Sequence, residues 1–224
     1  MIPVRPPETI SMTARDGTRL DADVYVPDAP GPFPVVLMRQ PYGRAIASTV
    51  VYAHPAWYAA HGYIVAVQDV RGCGTSGGEF RLFEHEAEDG ADAVAWAAAL
   101  PGSSGDVGMY GFAYQGNNQL LALSAGAPAL KALCPAMVAW DMHADWAYEG
   151  GAFRLADNLA WGIQMAAEAA RQRCRSRFWR DFCLGEREST TRSRRTRQFV
   201  VDITNFRRKS ACHGHRRDQP ASAP

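Results

Sequence analysis

Tyr110–Gln119 reads YGFAYQGNNQ. The apolar run Val107–Tyr110 before it has the length of a short buried strand, and Gln115–Ala125 after it has the composition of a helix. Between them, Gly111 and Gly116 flank four residues. A sharp strand-to-helix turn that exposes a nucleophile needs glycines at those places, because a Cβ there clashes. The position that would carry the nucleophile is Ala113. Two readings of the hexapeptide stay open on its residues alone: a nucleophile turn without its nucleophile, or an ordinary glycine-rich βα turn.

The pattern around the turn repeats strand and helix. Glu8–Ala14 alternates, Asp16-Gly17 suggests a two-residue hairpin turn, and Thr18–Pro27 alternates again. Val35–Met38 and Tyr63–Val70 are continuous apolar runs, as in strands buried on both faces. His54–Gly62 reads as a short helix stopped by Gly62. Glu84–Leu100 reads as a helix whose early acids favour the positive end of its dipole. Lys131–Ala136 is a further strand, and Trp140–Ala170 turns helical and aromatic. The class is therefore α/β, a mostly parallel sheet with helices on both faces.

Composition splits the chain. Residues 1–170 carry nine Lys/Arg against eighteen Asp/Glu, whereas the last 54 carry fifteen against five. The chain uses two lysines against 22 arginines, the habit of a GC-rich gene. Residues 173–224 are rich in Arg, Ser, Pro, His and Cys. A translated frameshift accounts for such a tail, and a nucleic-acid-binding arm is the other account. No apolar run approaches a membrane span. Five cysteines without a C-x-x-C pair, and no leader pattern in MIPVRPPETI, suggest reduced thiols and a cytoplasmic location.

Other motifs carry less. Gly72–Gly77, GCGTSG, matches the dinucleotide fingerprint G-x-G-x-x-G, but more loop follows it where that motif needs a helix at once. Cys212-His213-Gly214-His215 has metal-ligating residue types without a second cluster. Neither a cofactor nor a metal is expected.

Five separated stretches occur in one order: MTARDGTRLDADVYVP, RQPYG, GYIVAVQDVRGCGTSGGEF, HEAEDGADAVAW and DVGMYGFAYQG. From about Glu8 to Ala170 they resemble the serine hydrolases typified by cocaine esterase and X-Pro dipeptidyl-peptidase, the peptidase S15-like α/β-hydrolases. The resemblance implies an incomplete α/β-hydrolase core over residues 1–140, the start of a helical cap over 141–172 and a basic, disordered tail over 173–224. It implies hydrolysis of a small-molecule ester or of an amide or peptide through an acyl-serine. Ala113 stands where the serine would be, the Tyr114 backbone N–H where one oxyanion donor would be, and the Tyr42 hydroxyl looks like the second donor. The Asp69–Arg71 stretch matches a family signature with an architectural role. Triad partners by residue type are Asp141, Asp145, Asp157, Asp181, Asp202 and Asp218, with His143, His213 and His215; none sits in a stretch resembling the family's acid or histidine motifs. Ser76 and Ser124 lie outside the turn. The expectation is a hydrolase-family chain that is catalytically inactive. The alternatives are a non-catalytic acyl-ligand binder that keeps the oxyanion donors, and nucleic-acid binding through the tail. No membrane partner is expected, and the oligomeric state is left open.

Overall fold

Alternation of apolar and polar residues produces a two-stranded start, β1 (Glu8–Thr13) and β2 (Arg19–Tyr25), paired antiparallel with Met12 opposite Leu20. The turn between them is wider than the two residues expected. Ala14 N–H donates to Thr18 O and Gly17 N–H to Ala14 O, with Gly17 at φ +86°. That is a three-residue hairpin closed by a left-handed glycine.

A computed structural model describes residues 1–45 and 52–175, with side chains through residue 170. The further elements are β3 (Phe33–Gln40), α1 (Pro55–Ala59), β4 (Ile64–Asp69), α2 (Glu86–Ala98), β5 (Ser103–Phe112), α3 (Tyr114–Ser124) and β6 (Leu130–Ala136). The strands form one six-stranded sheet in the order β1-β2-β4-β3-β5-β6. Pairing is antiparallel through β2–β4 and parallel from β4 to β6.

Neighbouring residues on the central strands point to opposite faces, and each face has its own core. Leu37, Ala66 and Met109 pack with Val94, Ala97 and Ala122 from α2 and α3. Met38, Val67 and Tyr110 pack on the other side with Ala59 of α1. All six residues of β4 are buried, which explains its unbroken apolar sequence. β5 begins four residues earlier than its apolar run, because Ser103 pairs with Phe33 through backbone bonds that a polar side chain does not prevent.

After β6 the chain enters a helical segment, the expected cap. Asp141 caps a π-helical turn, Met142–Ala147, by accepting from the N–H groups of His143 and Ala144. A small hairpin follows, β7 (Tyr148–Glu149) with β8 (Ala152–Phe153), and then the long helix α4 (Leu155–Arg175). α4 buries Asn158, Met165 and Glu168 at helical spacing, while Leu155, Leu159 and Ile163 face outward. Most of the expected tail, residues 176–224, lies outside the described residues. No helix among the described residues is long and apolar enough to cross a membrane.

Candidate active site

The quoted stretch is the junction of β5 and α3, and Ala113 is its pivot. Its backbone sits at φ 55°, ψ −117°, a conformation an L-residue adopts only when its surroundings enforce it. The flanking glycines are the enforcement. A Cβ on Gly111 would overlap Cβ of Gln115, and one on Gly116 would overlap Val138 Cγ1. The first turn of α3 is therefore packed against β5 at a distance that only hydrogen atoms permit.

The polar residues of the same stretch hold the backbone in place. Gln119 Nε2 donates to Gln115 O (2.9 Å), and its Oε1 accepts from Cys134 N–H on β6 (3.1 Å). Asn118 Nδ2 donates to Arg39 O on β3 (2.8 Å). Ala113 N–H donates to Ala136 O, and Ala113 O accepts from the N–H groups of Gly116 and Asn117. Tyr114 opens α3, so its own N–H has no acceptor within the helix and lies at the positive end of the dipole.

Beneath the turn lies a buried charge cluster. Arg39 Nη1 donates to Glu86 Oε2 at 2.6 Å, with the two side chains 0% and 4% exposed. The Tyr114 hydroxyl donates to Glu86 Oε1 at 3.0 Å, and Arg39 Nε to Gln68 Oε1 at 2.8 Å. Burial pushes the Glu86 carboxyl and the Tyr114 phenol up from their ordinary values. The Tyr114 ring stacks on Phe83, with ring centroids 4.4 Å apart.

Tyr42 approaches from the loop after β3. Its N–H donates to Gln40 Oε1, and its hydroxyl oxygen accepts from Trp161 Nε1–H of α4 at 3.1 Å. Burial raises the Tyr42 pKa. With the oxygen engaged by Trp161, the hydroxyl hydrogen remains free to donate elsewhere.

Tyr42, Ala113 and Tyr114 line one cleft of about 470 Å³. Its other walls are Phe83, Trp146 and Trp161, the segment Met137–Ala139, and the polar side chains Asn117, Asp145 and Arg154. Mostly apolar walls with a few converging polar groups are the usual make-up of a small-molecule site.

Comparison with known proteins identifies the family. Residues 16–219 match the model of the X-Pro dipeptidyl-peptidase (S15) family. The chain belongs to this family. It is 36% identical to the cocaine esterase of Rhodococcus sp. strain MB1 Bresler over 155 residues, 68% of this chain and 27% of that protein. Among solved structures, a CocE/NonD family hydrolase from Staphylococcus aureus superposes with TM-score 0.66 at 25% identity, covering 75% of this chain and 33% of the other. An α-amino acid ester hydrolase gives 0.59 at 29% identity, covering 71% and 30%. An aminopeptidase from a marine-sediment Thaumarchaeota archaeon gives 0.61 at 27%, covering 73% and 30%. The chain thus spans about a quarter to a third of the length of these relatives. The S15 match continues to residue 219, past Ala170, where the motif resemblance ends.

The motifs outside the cleft have structural uses. GCGTSG is not followed by a helix; α2 starts only at Glu86. Gly74 makes room for Asp69 instead, since a Cβ there would overlap the Asp69 carboxylate. Asp69 is buried and paired with Arg44 at 2.6 Å, and Arg71 pairs with Asp89 at 2.7 Å and with Asp16 at 2.6 Å. These pairs tie the β1–β2 turn, the end of β4 and α2 together. Ser76 is used structurally, accepting from Asp21 N–H and donating to Asp69 O. Ser124 donates to Leu121 O at the far end of α3.

Of the acids and histidines named as triad partners by type, the structure brings Asp145 to the cleft. Asp145 Oδ2 accepts from the N–H groups of Trp140 and Asp141, so it also organises the cap. Asp141 is a helix cap, Asp157 pairs with Arg154 at 2.9 Å, and the His143 ring stacks on Tyr148. Asp181, Asp202, Asp218, His213 and His215 lie outside the described residues. Among the described residues, no group of His, Cys, Asp or Glu could hold a metal ion. Cys73 is buried and Cys134 exposed, both as free thiols.

Proposed function

We propose that this chain is an S15-type hydrolase domain whose nucleophile turn is intact in shape and inert in chemistry. Ala113 occupies the nucleophile position, and the Tyr114 N–H and the Tyr42 hydroxyl are the oxyanion donors. The backbone of Ala113, at φ 55° between two glycines that admit no Cβ, carries the reading. An ordinary βα turn has no need of that strain. In an acyl-serine mechanism the hydroxyl oxygen attacks the carbonyl carbon, and negative charge moves to the carbonyl oxygen, where the two donors meet it. A methyl group has no lone pair, so neither the bond nor the charge forms. Loss of the serine from a working triad costs on the order of 10⁶ in kcat.

The ligand class that the relatives suggest is a small ester or amide, which the cleft would hold without cleaving. The intact donor pair and the open cleft favour this acyl-ligand reading. Release of 4-nitrophenol from 4-nitrophenyl acetate tests the proposal. Turnover should equal the buffer blank and be unchanged in Tyr42→Phe. Turnover above the blank that falls in Tyr42→Phe would overturn it.

A further inference from the structure

We infer that the outward face of α4 is an interface between two copies of this chain, paired antiparallel about a two-fold axis near Ile163.

α4 is apolar on two sides. One side is buried and includes Gly162 and Met165. The other is bare. Leu155, Leu159 and Ile163 recur every four residues in solvent, and Ala156, Ala160, Ala167 and Ala170 are exposed between and beyond them. At 3.6 residues per turn all seven share one face of the helix. No charged residue of 155–170 falls on that face, whereas the solvent side of a surface helix normally carries charge.

Two properties of the stripe select a second copy and its direction. The first is size. The N-terminal half holds the large residues Leu155, Leu159 and Ile163, and the C-terminal half the small Ala167 and Ala170. Antiparallel pairing about Ile163 sets Leu159 beside the partner's Ala167 and Leu155 beside the partner's Ala170. Bulk then fills hollow along the whole seam. Parallel pairing would set leucine against leucine at one end and leave a gap at the other.

The second property is charge. At the start of α4, Arg154 pairs with Asp157 and Glu149, two acids against one base. Its last turns contain Arg171, Arg173 and Arg175 in sequence and no acid. The chain's change from excess acid to excess base, between residues 170 and 171, thus falls inside this helix. An antiparallel pair brings each acidic start to a basic end, twice over by symmetry. The pairing also reaches the cleft, because Trp161 on the inward side of α4 holds the Tyr42 oxygen. A seam along one helix is smaller than the about 800 Å² per partner of a standard interface, so the dimer is reversible.

Sedimentation equilibrium of the full 224-residue chain, from low to high micromolar concentration, tests the inference. The mass should rise from one chain to two and stop there, and high salt should weaken the dimer severalfold. Leu159→Glu places a carboxylate in the seam and should weaken association by about tenfold or more, with a far-ultraviolet signature like the wild type. With diamide as oxidant, Ile163→Cys should give a peptide disulfide-linked to its own copy at position 163. Leu155→Cys should not self-link, because the two copies of that position lie about 24 Å apart along the antiparallel seam. A single-chain mass at every concentration would overturn the inference. So would a dimer that Leu159→Glu leaves intact, or self-linking at position 155 in place of 163. The wild-type mass and the Ile163→Cys link decide even if Leu159→Glu does not fold.

Discussion

The two regions that meet at the cleft are built in opposite ways. The floor, where β5 turns into α3, is held by buried groups that have few alternatives: Arg39, Glu86, Asn118 and Gln119 are each almost wholly inaccessible. The cap touches the cleft with one face of α4 and leaves Leu155 (58%), Leu159 (40%) and Ile163 (58%) in solvent. Each region contributes to one of the two proposed oxyanion donors. The Tyr114 N–H belongs to the floor alone, whereas the Tyr42 hydroxyl is oriented by Trp161, a cap residue. A loose cap over a rigid floor should therefore disturb one donor before the other.

Mutations can break this contrast. The largest effect is expected at Glu86→Ala, which leaves the Arg39 guanidinium buried without its partner. The loss should be about 3–5 kcal/mol, read from urea unfolding midpoints. A loss under about 1 kcal/mol would mean that the floor is not the rigid half. Gly111→Ala should cost about 3 kcal/mol, from backbone strain at φ +145° and overlap with Gln115. A variant that unfolds like the wild type would show that the turn relaxes freely.

Much of the floor was legible in the sequence, and its reason for stability was not. The spacing of Gly111 and Gly116 announces the turn because a steric demand leaves a mark on residue type. Glu86 and Arg39 leave no such mark. They are 47 positions apart, and the acid at a helix start reads equally well as a solvated partner of the dipole. The structure shows instead that Glu86 and Asp89 are buried partners of Arg39 and Arg71. Trp161 was missed for the same reason, since it meets Tyr42 across 119 residues of sequence. The polar start of β5 looked like loop, because backbone pairing with β3 is not written in side chains.

The cap side of the contrast predicts smaller numbers. Trp161→Phe removes one hydrogen bond and part of the ring that meets Trp146 and Tyr114, so it should cost about 1–2 kcal/mol in stability. The far-ultraviolet signature of the fold should stay that of the wild type. No measurable loss in urea unfolding would mean that Trp161 does not hold Tyr42 in place.

The smallest effect lies on the outer rim of the floor. Arg15 holds the Asp92 carboxyl below its usual range through a 2.7 Å pair that ties the first hairpin to α2. A carboxyl lowered in the folded state stabilises the fold above its unfolded value of about 4, and that part is lost as the pH falls through the lower folded value. The pair is partly exposed, so Asp92→Asn should remove no more than about 1 kcal/mol at pH 7. Less of that difference should remain at pH 2.5. A difference that grows on acidification would reverse the assignment.

The central claim is that the turn at Ala113 has the shape of a nucleophile site and no nucleophile. Intact-mass spectrometry after incubation with an organophosphonate that esterifies activated serines tests it most directly. The chain should emerge unmodified under conditions that label a serine esterase completely. A single stoichiometric adduct mapping to Tyr110–Gln119, or to Ser76 or Ser124, would contradict it.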